Sequence, residues 1–207
     1  PAKGILVREI DALGGEMAKA ADKTALQVKM LNISKGPAVR AMRVQSDKVA
    51  YKEYMQDVTS HTDNLDIYVS LVDKLLVEDN VIKGVCLEDG TCIYSKRVII
   101  TTGTYLSSAI LVGKTATPSG PDHEKTNYGL SDSLREHGFK LIRLKTGTPA
   151  RIYTDSIDFS NAQLELGTNL PLTFSYETNP TDMIPFSKQV PCYLIWTTDE
   201  TKKLIFE

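Results

Sequence analysis

The sequence predicts an α/β fold whose middle third is rich in short strands. Three observations carry this prediction. Ile5, Leu6, Ile10 and Leu13 recur at helical spacing over residues 4–13. Residues 65–94 hold four short apolar runs separated by turn residues, with Asp79-Asn80 and Asp89-Gly90 among them. Asp-Gly between apolar runs is a strong hairpin signal. Residues 97–102, Arg-Val-Ile-Ile-Thr-Thr, form the kind of β-branched run that is buried on both faces of a parallel sheet.

Taken in order, the helix over 4–13 stops at Gly14-Gly15, and residues 26–31 read as a strand. Ser34-Lys35-Gly36-Pro37 breaks that strand. A long helix is then expected over 38–60, with Val39, Met42, Val49, Ala50, Tyr54 and Val58 on one side. The β-meander follows, with strands at 65–69, 74–78, 82–87 and 91–94. The run at 97–102 ends in Gly103-Thr104. A polar Gly/Pro loop begins after residue 113, where a domain boundary is placed, giving parts 1–113 and 114–207. A helix at 131–137 and strands at 139–144 and 190–196 complete the second part, and the last residues read as a helix still under way. The weakly patterned stretch between residues 155 and 188 is too long for a plain connection, so it is either functional or mobile.

With 207 residues, 42% hydrophobic and 24% charged, the chain has a globular composition, enough for one large domain or two small ones. It contains no apolar run of about 18 residues and no signal-peptide pattern. Three cysteines without metal-site spacing suit a reducing, cytoplasmic setting. Residues 1–56 carry ten Lys/Arg against six Asp/Glu, a bias that fits either a phosphate-bearing partner such as RNA or a solvated helix face. Arg8, Glu9 and Asp11 are expected on such a solvated face, and Trp196 in a core or interface. His61, His123 and His137 are isolated and lack ligand spacing, so no metal is expected.

Several local patterns suggest chemistry. Gly36-Pro37 reads as a helix start whose N–H groups, with Ser34, Lys35 and Arg40 nearby, suit an anion; Arg43 is a further phosphate candidate. Lys145-Thr-Gly-Thr-Pro-Ala-Arg151 places two cations around small residues, suited to a phosphate or carboxylate, or else it is a connection stiffened by Pro149. Cys86 and Cys92 flank the Asp89-Gly90 turn and are expected as small buried hydrophobes rather than a redox pair. Cys192 stands apart in Gln189-Val-Pro-Cys-Tyr-Leu.

The phrases REIDALGGEMAKA, SKGPAVRAMRVQSDK, TTGT, LKTGTP, SIDFS and QVPCY occur in that order along the chain. Together they resemble the GidA/MnmG family of FAD-containing enzymes that modify the wobble uridine of certain tRNAs. The order of elements likewise resembles the flavoprotein form of the dinucleotide-binding fold, here a partial Rossmann-like domain with a β-meander plus an inserted α+β domain. The resemblance implies that Val72, Gly103, Thr104 and Asn127 contact FAD. The plain alternatives are a core valine, strand-end residues and a loop asparagine. It implies that the segment around Lys188, Gln189 and Tyr193 binds NADH, and that Cys192 is one of two catalytic cysteines. A thiolate adds to C6 of a uracil ring and makes C5 nucleophilic toward a one-carbon electrophile.

No G-x-G-x-x-G occurs in the chain. The expectation is therefore an internal fragment, lacking that fingerprint, the family's other cysteine and its C-terminal helical region. Such a piece alone is expected to hold FAD weakly and to be inactive. The resemblance further implies methylenetetrahydrofolate as carbon donor, the GTPase MnmE as partner, and a homodimer. Three alternatives remain at this stage: the related folate- and FAD-dependent tRNA uridine methyltransferase, a small-molecule flavin oxidoreductase, and a non-catalytic RNA- or protein-docking module.

Overall fold

The computed structural model describes residues 2–147, 149 and 151–206. In chain order the elements are α1 (Ala2–Ala12), α2 (Met17–Lys23), β1 (Ala25–Leu31), β2 (Ala41–Ser46) and α3 (Lys48–Ser60). Next come β3 (Val72–Glu78), β4 (Val81–Leu87), β5 (Cys92–Tyr94), β6 (Ala109–Val112), β7 (Thr115–Pro118) and α4 (Gly129–Glu136). The last are β8 (Gln163–Glu165), β9 (Cys192–Leu194) and α5 (Asp199–Phe206). The mixed α/β class is as expected, but the described strands form small antiparallel sheets: β1-β2, β3-β4-β5, β6-β7 and β8-β9.

By packing, the chain divides into two compact units, residues 1–66 with 150–207, and residues 67–149. This division differs from the single boundary expected near residue 113. Its physical basis is that the late segment returns to β1: Thr168 N donates to Val28 O at 2.7 Å, and Val190 N donates to Leu26 O at 2.8 Å.

In the first unit, α1 ends where Gly14 takes φ +85°, a turn that a side chain would disfavour. β1 and β2 pair with Gln27 opposite Gln45, Lys29 opposite Arg43 and Met30 opposite Met42. Alternation along the strands separates two faces. Val28 and Met42 join Ala18, Ala25, Phe174 and Met183 in a buried apolar cluster, with Val7, Met30 and Val44 packed against it. Gln27, Lys29, Arg43 and Gln45 occupy the other face.

The helix expected over 38–60 is a strand followed by a shorter helix. Pairing with β1 claims residues 41–46, and α3 starts where Asp47 Oδ1 accepts from Val49 N and Ala50 N at 2.8 and 2.9 Å. Arg8 and Asp11 are likewise not a solvated face. Arg8 donates to Thr173 O at 2.7 Å and stacks over Tyr176, while the buried Asp11 accepts from Tyr176 N at 2.9 Å. Asp22 on α2 accepts from Phe174 N and Ser175 N at 2.8 and 2.9 Å. An irregular loop with buried N–H groups needs such acceptors, and the two helices supply them.

In the second unit the meander forms as β3-β4-β5. The Asp79-Asn80 turn has φ of +50° and +59°, the left-handed pair that a tight hairpin requires. α4 lies against β3, with Leu130 and Leu134 buried and Ser133 Oγ accepting from Leu75 N at 3.0 Å. The polar loop after residue 113 contains part of the β6-β7 hairpin. The runs at 65–69, 97–102 and 139–144 form no ladder, and Ile99 is 87% exposed. A central parallel strand needs partners along both edges, and the described residues place none beside these runs. Trp196 is also exposed rather than in the core.

Cys86 and Cys92 are joined by a disulfide, which corrects their reading as separate buried hydrophobes and departs from the reduced thiols expected of a reducing setting. The Asp89-Gly90 turn sets the register that puts them directly opposite, with Cα atoms 4.0 Å apart.

Candidate functional site

Cys192 opens β9, half-buried, and is a free thiol. It pairs across the β8-β9 ladder with Glu165, and Leu164 pairs with Tyr193. The polar face of β1-β2 meets this hairpin. Cys192 Sγ lies 3.6 Å from both Gln27 Oε1 and Gln45 Oε1, the cross-strand pair of the first ribbon. Lys29 makes an ion pair with Glu165, and Arg43 donates to Gln27 Oε1 at 3.2 Å. Residues 27, 45, 165 and 192 thus form one polar seam around a sulfur.

Gln27 is 2% exposed and saturated: its Nε2 donates to Glu165 O at 3.2 Å and Val190 O at 3.0 Å. Gln189 is used similarly, accepting from Val28 N at 3.1 Å and donating to Thr168 O at 3.0 Å. Lys188 is exposed in a short 3₁₀ turn, and the Tyr193 ring stands 4.5 Å from that of Phe159. The thiol donates to two amide oxygens and Arg43 shares one of them, so the sulfur sits among polar groups rather than in an apolar core.

The Ser34-Lys35-Gly36 segment differs from its expectation. Residues 33–35 and 37–39 are single 3₁₀ turns joined by Gly36 at φ +92°, and β2 follows rather than a helix. No helix N-terminus stands there to hold an anion. Ser34, Lys35 and Arg40 are exposed at this corner, apart from Arg43, which reaches the Cys192 seam. Lys145 and Arg151 are exposed, and Thr148 and Ala150 of the same motif lie outside the described residues.

Val72 and Asn127 come together in the second unit. Asn127 Nδ2 donates to Val72 O at 2.7 Å, and its Oδ1 accepts from Leu130 N at 3.0 Å. Its backbone also pairs with Tyr105 and Ser107, just beyond Gly103-Thr104. Both residues line an open depression of about 570 Å³ together with Glu88, His123, Lys125 and Gly129. Gly103, at φ +55°, and Thr104 are exposed in the turn after residue 102 and do not line it.

Sequence reasoning missed Gln27, Gln45, Lys29 and Glu165. The available signal was alternation: Gln27 and Lys29 sit two apart on a strand whose intervening residues are apolar, as do Arg43 and Gln45.

A mixed α/β chain built on these motifs has well-defined relatives. The family described as Glucose inhibited division protein A matches residues 1–207, and the chain belongs to that family. The protein of Mycoplasma mycoides subsp. mycoides named tRNA uridine 5-carboxymethylaminomethyl modification enzyme MnmG is 56% identical over 206 residues, covering 99% of this chain and 32% of that protein. Its namesake from Geobacillus kaustophilus is 48% identical over 207 residues, again 32% of its length. The form I crystal structure of Aquifex aeolicus GidA aligns with a TM-score of 0.84 at 45% identity, covering 93% of this chain and 32% of that one. The chain therefore spans about a third of the length of the curated relatives it matches. Among the described residues, no helix is long and apolar enough to cross a membrane.

Proposed function

We propose that this chain is part of an FAD-dependent enzyme of the cytoplasm that modifies tRNA. With the GTPase MnmE, it adds a carboxymethylaminomethyl or aminomethyl group to C5 of the wobble uridine, taking the carbon from methylenetetrahydrofolate. The observation that carries this reading is the free Cys192 thiol in its polar seam, in a chain 56% identical to a protein named for that modification.

In this reading Cys192 is the nucleophile. Its sulfur bonds to C6 of the uracil, and the C5–C6 electron pair shifts toward C5 and the adjacent carbonyl. C5 then bonds to the methylene carbon as one of that carbon's bonds to folate nitrogen breaks, glycine or ammonium displaces the other, the C5 proton leaves to solvent, and expulsion of the sulfur as thiolate restores the ring. Arg43, on the same Gln27 oxygen as the thiol, would supply the nearby positive charge, and the exposed Arg40, Lys145 and Arg151 suit the tRNA backbone. The target base has to leave its stack to reach the sulfur.

Val72 and Asn127 fit a cofactor: they share one depression, and its volume is in the range of small-ligand sites. They would hold part of FAD, with Gly103 and Thr104 of the same unit as further contacts; the Ser34-Lys35-Gly36 corner is a separate cofactor-binding candidate. When bound, FAD supplies hydride chemistry that side chains lack, and NADH, held near Lys188, Gln189 and Tyr193, would reduce it. The full-length protein is expected to act as a homodimer.

The test is nucleoside mass spectrometry of tRNA from cells whose only full-length copy carries Cys192→Ser. The modification should vanish while the purified variant still folds and retains flavin. Modification at normal levels would make Cys192 structural and end this mechanism.

A further inference from the structure

We propose that Gln27 is the positioning residue of Cys192, an inference that rests on Cys192 being the reacting thiol of the proposed function. Gln27 is buried and lies 165 residues away in sequence, yet it meets the Cys192 hairpin at three points. Its amide nitrogen donates to Glu165 O, on the residue directly opposite Cys192, and to Val190 O, two residues before it. Those two carbonyls accept only from a donor, so the amide is held one way round. Its oxygen then faces Cys192 Sγ at 3.6 Å and the Arg43 guanidinium at 3.2 Å. Reversing the amide would set its one oxygen against two carbonyls and its nitrogen against a guanidinium, each contact unfavourable.

One side chain therefore does two things. It clamps the backbone at Glu165 on β8 and at Val190 just before β9, which fixes where the sulfur sits. It also gathers the S–H and a guanidinium N–H on one oxygen, so a cation stands ready beside the sulfur when the proton leaves. Gln45 touches the sulfur from the opposite rung but is exposed and lacks these anchors. Among the described residues, Gln27 alone joins the thiol, the cation and the backbone.

The test uses the full-length protein with two readouts: the rate of Cys192 carbamidomethylation by iodoacetamide against pH, followed by peptide mass spectrometry, and kcat and KM for tRNA with the partner GTPase. Gln27→Glu places a carboxylate where the amide oxygen was. Its alkylation profile should move to higher pH by about one unit, near ten-fold slower at a fixed pH. Its kcat should fall by about ten-fold or more, with KM within about two-fold. The introduced charge moves the pH profile whatever Gln27 does, so positioning is read from kcat on the plateau of each profile. A plateau kcat matching wild type would overturn the inference.

If Gln27→Glu fails to fold, Arg43→Met reads the same oxygen from an exposed position. It should slow alkylation by about three-fold or more, and an unchanged rate overturns the inference equally. The two readings fail separately. A Cys192→Ser protein that still modifies tRNA, beside a lowered Gln27→Glu plateau kcat, sinks the function and leaves the positioning. A dead Cys192→Ser beside an unchanged Gln27→Glu plateau kcat does the reverse.

Discussion

The two units treat cysteine in opposite ways. In the unit of residues 67–149, Cys86 and Cys92 sit six apart on one hairpin and close on each other across it. In the other unit Cys192 stays free, met by side chains more than 140 residues away. A short turn brings two like residues together and lets them satisfy one another. Long-range return of the chain brings unlike residues together, and the thiol, met by amide oxygens, stays out of any disulfide. The same contrast runs through the packing. The meander unit is organised by turns and strand register, and the Cys192 unit by buried polar bonds between distant segments.

The largest predicted effect strikes that second device. Asp22→Ala leaves Phe174 N and Ser175 N without their acceptor and should destabilise the protein by about 3 kcal/mol. Hydrogen exchange should rise at residues 172–177 while β3-β4 keeps its protection. Equal exchange in both units would break the contrast.

A smaller loss is expected in the meander. Cys86→Ser opens a short loop, and the cross-link contributes about 2 kcal/mol by chain entropy. Thiol counting on these three cysteines of the denatured protein should find one free thiol before reduction and three after. Three before reduction would remove the disulfide from the comparison.

The smallest effect is on pH dependence. Burial, with the 2.6 Å bond from its hydroxyl to Glu16, pushes the Tyr54 phenol up to about 12. Because the folded value lies above the usual 10.0, its contribution is complete below about pH 10 and is lost as pH rises through 12. Solvent screening keeps the effect to about 1 kcal/mol. Denaturation midpoints of wild type should therefore decline between pH 10 and 12 more steeply than those of Tyr54→Phe. Parallel curves would refute this.

Much of the fold was legible where signals are local. The helix stop at Gly14, the meander with its Asp-Asn and Asp-Gly turns, and the strand at Cys192 all follow from neighbours in sequence. The strand at 41–46 was misread as helix because Val39, Met42, Val49 and Tyr54 do fit a helical spacing, and only pairing with β1 overrides it. Asp11 looked solvated for the same reason: the loop that buries it lies 165 residues on.

The site divides along the same line. Motif wording singled out Cys192, Val72 and Asn127, and the family follows from sequence over the whole chain. The amide of Gln27, the Lys29–Glu165 pair and the turn of Arg43 toward the sulfur were decided by tertiary structure alone. A sequence records which groups a chain carries and how near neighbours repeat. Which distant groups share a buried hydrogen bond depends on how the chain closes on itself, because only that closure removes the water that each group would otherwise bind.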